Sequence, residues 1–294
     1  MHYYLSQFFE ALGYAAIFIL VFMTIFFVYS LFRKRNDTAD IIWGLGFIGV
    51  AWTMHAYVGS GIQSDIVFAA IALWGLRLST HIYLRNAKKD EDFRYQAWRK
   101  SWMKRSYTYF VIRSYLQVFL FQGLLMLWIS LPAIALAAAS HPAWIGHNAL
   151  LVRGSEIGHQ LGQVTAQPDT VSPFLILGAI LWLVGFFFEA VGDHQLSVFI
   201  KNPKNKGKIM TKGLWSLTRH PNYFGEVTQW WGIYLMILPL AWPLCLIALV
   251  GPLTISWLIL KVSGIPMLEK KYEGNADFEK YKKRTSAFFP RLSI

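Results

Sequence analysis

Four groups of residues in this sequence combine side-chain type and spacing in ways that could do chemistry. Asn222 and Glu226 are four apart, so on a helix an amide and a carboxyl group share one face a single turn apart. Immediately before them come Arg219, His220 and Pro221. A helix starting at that proline offers unpaired backbone N–H groups and a positive dipole end beside two basic side chains, which together make a seat for an anion. Arg77, His81 and Arg85 run i, i+4, i+8, a basic stripe on one helix face suited to an anionic ligand. Glu189 and Asp193 repeat the spacing with the opposite sign.

The elements that position these groups must be membrane helices. Of the 294 residues, 55% are apolar, 17% aromatic and only 15% charged. A soluble domain carries roughly 25% charged residues, so there are too few charges here to coat a water-soluble globule, and the apolar content excludes disorder. The single cysteine, Cys245, excludes a disulfide framework and a thiolate zinc site, and no metal is expected. Apolar stretches near the length of about 20 residues needed to cross a bilayer lie near residues 10–32, 41–60, 65–84, 110–138, 171–192, 222–239 and 242–262. The expected fold is therefore all-α: one polytopic integral membrane domain over residues 1–294 with seven transmembrane helices. The opening MHYYLSQFFE has no basic n-region, so the first apolar run is expected to remain as an anchor.

Lys and Arg sort by loop. The segment 31–40 holds 3, 85–109 holds 8, 193–220 holds 6 and 269–294 holds 7, which is 24 of the 28 in the chain. Because basic loops stay cytoplasmic, the N-terminus is expected outside and the C-terminus inside. The net charge of +12 is then turned toward anionic lipid headgroups, and no nucleic-acid partner is expected. The opposite loop, 139–170, is long and nearly uncharged, as a lid or lipid-facing flap would be.

A charge at the centre of a span costs about 2.5 to 3.5 kcal/mol. Arg77, His81, Glu189, Asp193, Glu226 and Lys261 inside or at the edges of apolar segments therefore need partners or a task. The plain readings are snorkelling for Arg85, which lies at a helix end, and mutual pairing for the acids. Gly44, Gly46 and Gly49 spell G-x-G-x-x-G, but no strand precedes them, so close helix packing explains them better than dinucleotide binding.

The run Arg219-His-Pro-Asn-Tyr-Phe-Gly-Glu226, with Trp230-Trp-Gly232, Ser263-Gly-Ile-Pro266, Tyr281 and the closing Arg284-Thr-Ser-Ala-Phe-Phe-Pro290, resembles the C-terminal region of the steroid 5α-reductase family. Upstream, Asp40-Ile-Ile-Trp-Gly44, Trp74-Gly-Leu-Arg-Leu78, His81, Arg85 and Glu91-Asp-Phe-Arg-Tyr95 are similar to its bacterial branch. The resemblance covers most of the chain from about residue 37 onward.

The resemblance implies a membrane reductase, in the bacterial inner membrane, that binds NADPH from the cytoplasmic side, chiefly through the half 171–294. It would transfer hydride to an activated C=C bond of a steroid-like or other lipophilic substrate. Asn222 and Glu226 are implied at the nicotinamide; Tyr223 and Trp230 are candidates to wall the ring, although aromatic residues at helical spacing more often face lipid or core. Arg77, Asn86 and Asp193 are implied along the phosphates, ribose and adenine, with Lys261 near the end of the last span. Arg77, His81, Arg85 and Arg94 are expected from their charge to neutralise the phosphates, beside the anion seat of Arg219 and His220. Hydride addition to an enone leaves negative charge on its oxygen, which needs a donor. Asp40, at the start of the second span, is expected to act as a protonated donor, so that Asp40 and Glu226 are the expected catalytic residues. The family's third-span tyrosine has no counterpart near Trp74 and Gly75. Two other readings stay open: an S-adenosylmethionine-dependent methyltransferase of the isoprenylcysteine or phospholipid type, which shares an R-H-P-x-Y-x-G pattern, and a non-catalytic lipid-binding or transport protein.

Overall fold

A computed structural model describes residues 2–87, 89–140, 171–238, 240 and 242–291. The greater part of the expected lid or flap, 141–170, lies outside the described residues. In chain order the helices are α1 (His2–Arg33), α2 (Thr38–Val58), α3 (Ile62–Asn86), α4 (Phe93–Met103), α5 (Tyr107–Ile129), α6 (Leu131–Ser140), α7 (Pro173–Lys201), α8 (Leu214–Leu217), α9 (Pro221–Met236), α10 (Trp242–Ala248), α11 (Val250–Trp257), α12 (Ile265–Lys270) and α13 (Ala276–Arg284). Among the described residues there is no strand.

Among the described residues six stretches are long and apolar enough to cross a bilayer: Tyr4–Arg33, Thr38–Val58, Ile62–Asn86, Tyr107–Ile129, Pro173–Lys201 and Trp242–Lys270. The expected sixth span appears as α9, whose 16 residues reach about 24 Å at the helical rise, short of the roughly 30 Å hydrocarbon layer. The expected fourth span divides at Ser130, where Pro132 lacks the N–H that would continue the hydrogen-bond ladder.

The described residues fall into two compact units, 1–172 with 239–248, and 173–238 with 249–294. In the first, the alanine-rich α6 packs against α1, α2 and α10, with residues 131–138 buried all round. A helix apolar on every face belongs in a core, and its small side chains let larger neighbours close over it. The three glycines of the G-x-G-x-x-G run serve the same end. A Cβ on Gly44 would strike α3 at Gly75 and Ser79, one on Gly46 would strike Met126 of α5, and one on Gly49 would strike Phe18 of α1.

At one end of this unit, buried polar groups stitch the α1–α2 turn to the segment before α4. Arg35 forks onto Asp37 at 2.8 and 3.0 Å, and Asp37 accepts from the Asp92 backbone N–H at 3.2 Å. Glu91 takes the Asn36 N–H at 2.5 Å and both prongs of Arg99 at 2.8 and 2.9 Å.

The second unit is organised by α7 against α9. Gly178, Gly185 and Gly192 recur every seven residues on α7 and meet Gly232, Gly225 and the Pro221–Asn222 turn on an antiparallel α9. A side chain at Gly225 would strike the Glu189 nitrogen and the Gly185 carbonyl. Backbone contact this close leaves no room to relax, and overpacking costs about 1 to 3 kcal/mol. Gly225→Leu should therefore lower the Tm of the detergent-solubilised protein sharply, whereas Gly13→Leu, where a Cβ meets nothing within 4 Å, should leave it unchanged. Equal Tm values for the two variants would contradict this packing.

Candidate functional site

In the second unit the close helix approach brings the polar residues of α7 and α9 onto shared rungs. Gln229 Nε2 donates to Glu189 Oε2 at 2.5 Å, with the two residues 0% and 2% exposed. Two turns nearer the start of α9, Asn222 Nδ2 donates to Asp193 Oδ1 at 3.1 Å. This bond fixes the amide orientation, since a carboxylate can receive only the NH2 side. It leaves Asn222 Oδ1 buried with no hydrogen-bond partner among the described residues. A buried acceptor of this kind costs about 1 to 3 kcal/mol unless a donor reaches it, so the site suits a ligand carrying an N–H or O–H. Glu226 follows one turn later on α9, half-buried. Tyr223 stacks on the His220 ring with centroids 5.6 Å apart.

The chain enters α9 through an extended segment that the C-terminal residues clasp. Arg219 N–H donates to the Ser286 carbonyl at 2.9 Å, and Arg291 N–H donates to the Leu217 carbonyl at 2.9 Å. The Arg219 guanidinium, in a residue only 8% exposed, forks onto Glu269 at 2.8 and 3.2 Å and donates to the Thr285 carbonyl at 2.5 Å. His220 Nε2 lies 3.0 Å from the same Glu269 oxygen. The Tyr281 hydroxyl donates to the Trp215 carbonyl, and burial pushes its pKa up, so it keeps the proton it donates. The Trp215 indole in turn donates to the Gly192 carbonyl on α7 at 3.0 Å. Arg219 and His220 are thus committed to Glu269 and act here by positioning the start of α9. Pro221 then opens the helix at its first position, with His220 at φ −140° before it.

In the first unit Asp40 is an acceptor on every side: from the Tyr95 hydroxyl at 2.6 Å, from Arg94 at 3.2 Å and from Gln122 at 3.3 Å. The sequence reading places a proton donor at Asp40, and the structure brings the Tyr95 hydroxyl directly beside it. Burial, with Asp40 alongside, pushes the Tyr95 pKa well up. Arg94 also pairs with Asp92 at 2.9 Å. Burial would raise the Asp92 pKa, but the bonds and charge of Arg94 hold it below the ordinary value. Arg77 and His81 are half-buried on α3, and Arg85 is exposed beside Asn86, bonded to it at 3.3 Å. Lys261 is exposed in a π-helical turn, Leu258–Val262. The sequence reading missed Glu269, Gln229 and Gln122. Glu269 lies 49 residues beyond His220, a distance that carries no periodic signal. Among the described residues there is no cluster of three or more His, Cys, Asp or Glu side chains able to hold a metal ion.

The chain belongs to the family described as Protein of unknown function (DUF1295), whose model matches residues 26–285 and which falls among the steroid 5α-reductase-like proteins. Over 52 residues it is 52% identical to the Probable O-methyltransferase ustE of Ustilaginoidea virens, covering 18% of each chain. Over 72 residues it is 35% identical to the 3-oxo-5-alpha-steroid 4-dehydrogenase 1 of Mus musculus, covering 24% of this chain and 28% of that one. Over 126 residues it is 31% identical to the Cobalt-zinc-cadmium resistance protein CzcN of Cupriavidus metallidurans, covering 42% and 53%. The chain therefore spans from under a fifth to about half the length of these relatives. No solved structure matches it significantly.

Breaking a buried ion pair from one side strands the other charge, at about 3 to 5 kcal/mol. Glu269→Gln should accordingly destabilise the protein by about 3 kcal/mol in denaturant unfolding. Glu279→Gln removes an exposed partner of Lys282 and should change stability by about 0.5 kcal/mol or less. Indistinguishable unfolding curves would remove Glu269 from the clasp.

Proposed function

We propose that this protein is a membrane-embedded, NADPH-dependent reductase that adds hydride to an activated C=C bond of a steroid-like or other lipophilic substrate. The observation that carries the reading is the oriented Asn222 amide: Asp193 occupies its N–H side, and its buried oxygen is left to accept. A nicotinamide carboxamide offers the matching N–H. Asn222 and Glu226 would hold that end of the cofactor from adjacent turns of α9, with Tyr223 beside them and the helix start at Pro221 favouring negative charge. NADPH, when bound, supplies the hydride. Arg219 and His220 serve by fixing the start of α9.

Arg77, His81, Arg85, Asn86 and Lys261 enter this reading from the sequence, as candidates for the cofactor's charged and polar parts. The Asp40 cluster enters as the candidate donor to a developing oxyanion, with Tyr95 carrying the hydrogen and Asp40 and Arg94 orienting it. Seven spans with the C-terminus inside, in a bacterial inner membrane, would turn the start of α9 toward the cytoplasmic NADPH pool. The partial likeness to a steroid dehydrogenase supports the substrate class.

One observation favours a second reading, S-adenosylmethionine-dependent methyl transfer: the 52-residue stretch similar to a probable O-methyltransferase. The two readings separate by ligand. The purified protein should be stabilised against heat by NADPH and not by S-adenosylmethionine. Asn222→Ala and Glu226→Gln should each weaken NADPH binding by about ten-fold or more while the far-UV circular dichroism stays unchanged. Arg77→Ala tests the third-helix stripe by itself in the same titration. Stabilisation by S-adenosylmethionine alone would overturn the reductase reading in favour of the second.

A further inference from the structure

We infer that α4 is an in-plane membrane-surface helix whose outward face binds anionic phospholipid headgroups. The helix lies in the 20-residue connection between two membrane-spanning stretches, one ending at Asn86 and the next starting at Tyr107, so both its ends are tied to the same bilayer surface. Its inward side is built from Tyr95 and Trp102, both buried, and Arg99, which Glu91 holds. The opposite side carries Phe93, Ala97, Lys100 and Lys104 at i, i+4, i+7 and i+11, all exposed. Phe93 is 75% exposed, and Trp98, Met103 and Tyr107 flank the same region at 46%, 45% and 62%. Four large apolar side chains held open on a short helix and at the start of the next are costly in water and favourable at a headgroup boundary, where aromatic rings and basic side chains sit together.

The charge pattern identifies the lipid. From Phe93 to Ser114 the sequence has six Lys or Arg residues and no Asp or Glu. Of the nearby acids, Asp37 is held by Arg35, Asp40 and Asp92 by Arg94, and Glu91 by Arg99, which leaves the exposed Asp90 before the helix. Lys100, Lys104 and Arg105 remain exposed with no carboxylate partner among the described residues. Arg105 instead lies over the Tyr109 ring at 5.0 Å. Three outward cations beside exposed aromatic residues are complementary to phosphodiester headgroups that carry net negative charge, and less so to zwitterionic ones.

The test uses the full chain in lipid nanodiscs, with Ala97→Cys carrying an environment-sensitive fluorophore and the unsubstituted protein controlling for labelling at buried Cys245. In discs containing phosphatidylglycerol, the label should be shielded from aqueous iodide and quenched by headgroup-level spin-labelled lipid. In pure phosphatidylcholine discs, and at high salt, that shielding should weaken. The triple change Lys100→Gln, Lys104→Gln, Arg105→Gln alters only exposed side chains. It should abolish the difference between the two lipids and reduce the fraction of phosphatidylglycerol that stays with the detergent-extracted protein by about ten-fold. A label equally open to iodide in both discs would overturn the surface location. Equal shielding in both lipids, unaffected by the triple change, would overturn the anionic partner.

Discussion

A single hydrogen bond, from the Asn222 amide to Asp193 at 3.1 Å, gives the candidate site its direction. Inside a membrane protein each polar group needs a partner, because the surrounding hydrocarbon offers none. Where α7 and α9 could have satisfied every such group between themselves, they satisfy the N–H side of Asn222 and leave its oxygen unmet. The Glu189–Gln229 rung lies one to two turns away on the same pair of helices, paired on its N–H side at 2.5 Å and buried, and it too leaves an amide oxygen, Gln229 Oε1, without a partner among the described residues.

That bond exists only because the two helices approach at backbone distance. Glycines every seven residues on α7 oppose glycines seven apart on α9, and each removes a side chain that would hold the helices apart. The clasp formed by Arg219, His220, Glu269 and the C-terminal segment then fixes where α9 begins. Packing, clasp and amide form one sequence of dependence within the second unit: spacing permits the rung, and the clasp sets which residue occupies it.

Much of this was legible in the residues. Apolar runs located the long helices, and the spacing of Asn222 and Glu226 placed them on one face of α9. The G-x-G-x-x-G run was readable as packing, because no strand preceded it. What was not legible depended on distance in sequence or on helix length. Glu269 reaches Arg219 across 50 residues without periodicity. Hydropathy extended the sixth span beyond α9, whose 16 residues end at Met236. Asp40 was readable as a carboxyl group at the start of a span, but the Tyr95, Arg94 and Gln122 side chains that converge on it from two other helices were not. The glycine repeat at 178, 185 and 192 was present in the sequence all along, and its seven-residue period was the signal for the α7–α9 seam.

The most direct measurement compares the affinity of the wild-type protein for NADPH and for its 3-acetylpyridine analogue, in which a methyl ketone replaces the carboxamide and removes the N–H donor. If Asn222 Oδ1 accepts from the nicotinamide, the wild type should bind the analogue about ten-fold more weakly, and Asn222→Ala should bind the two alike. Equal affinity of the wild type for both, or a preference that survives in Asn222→Ala, would contradict the account.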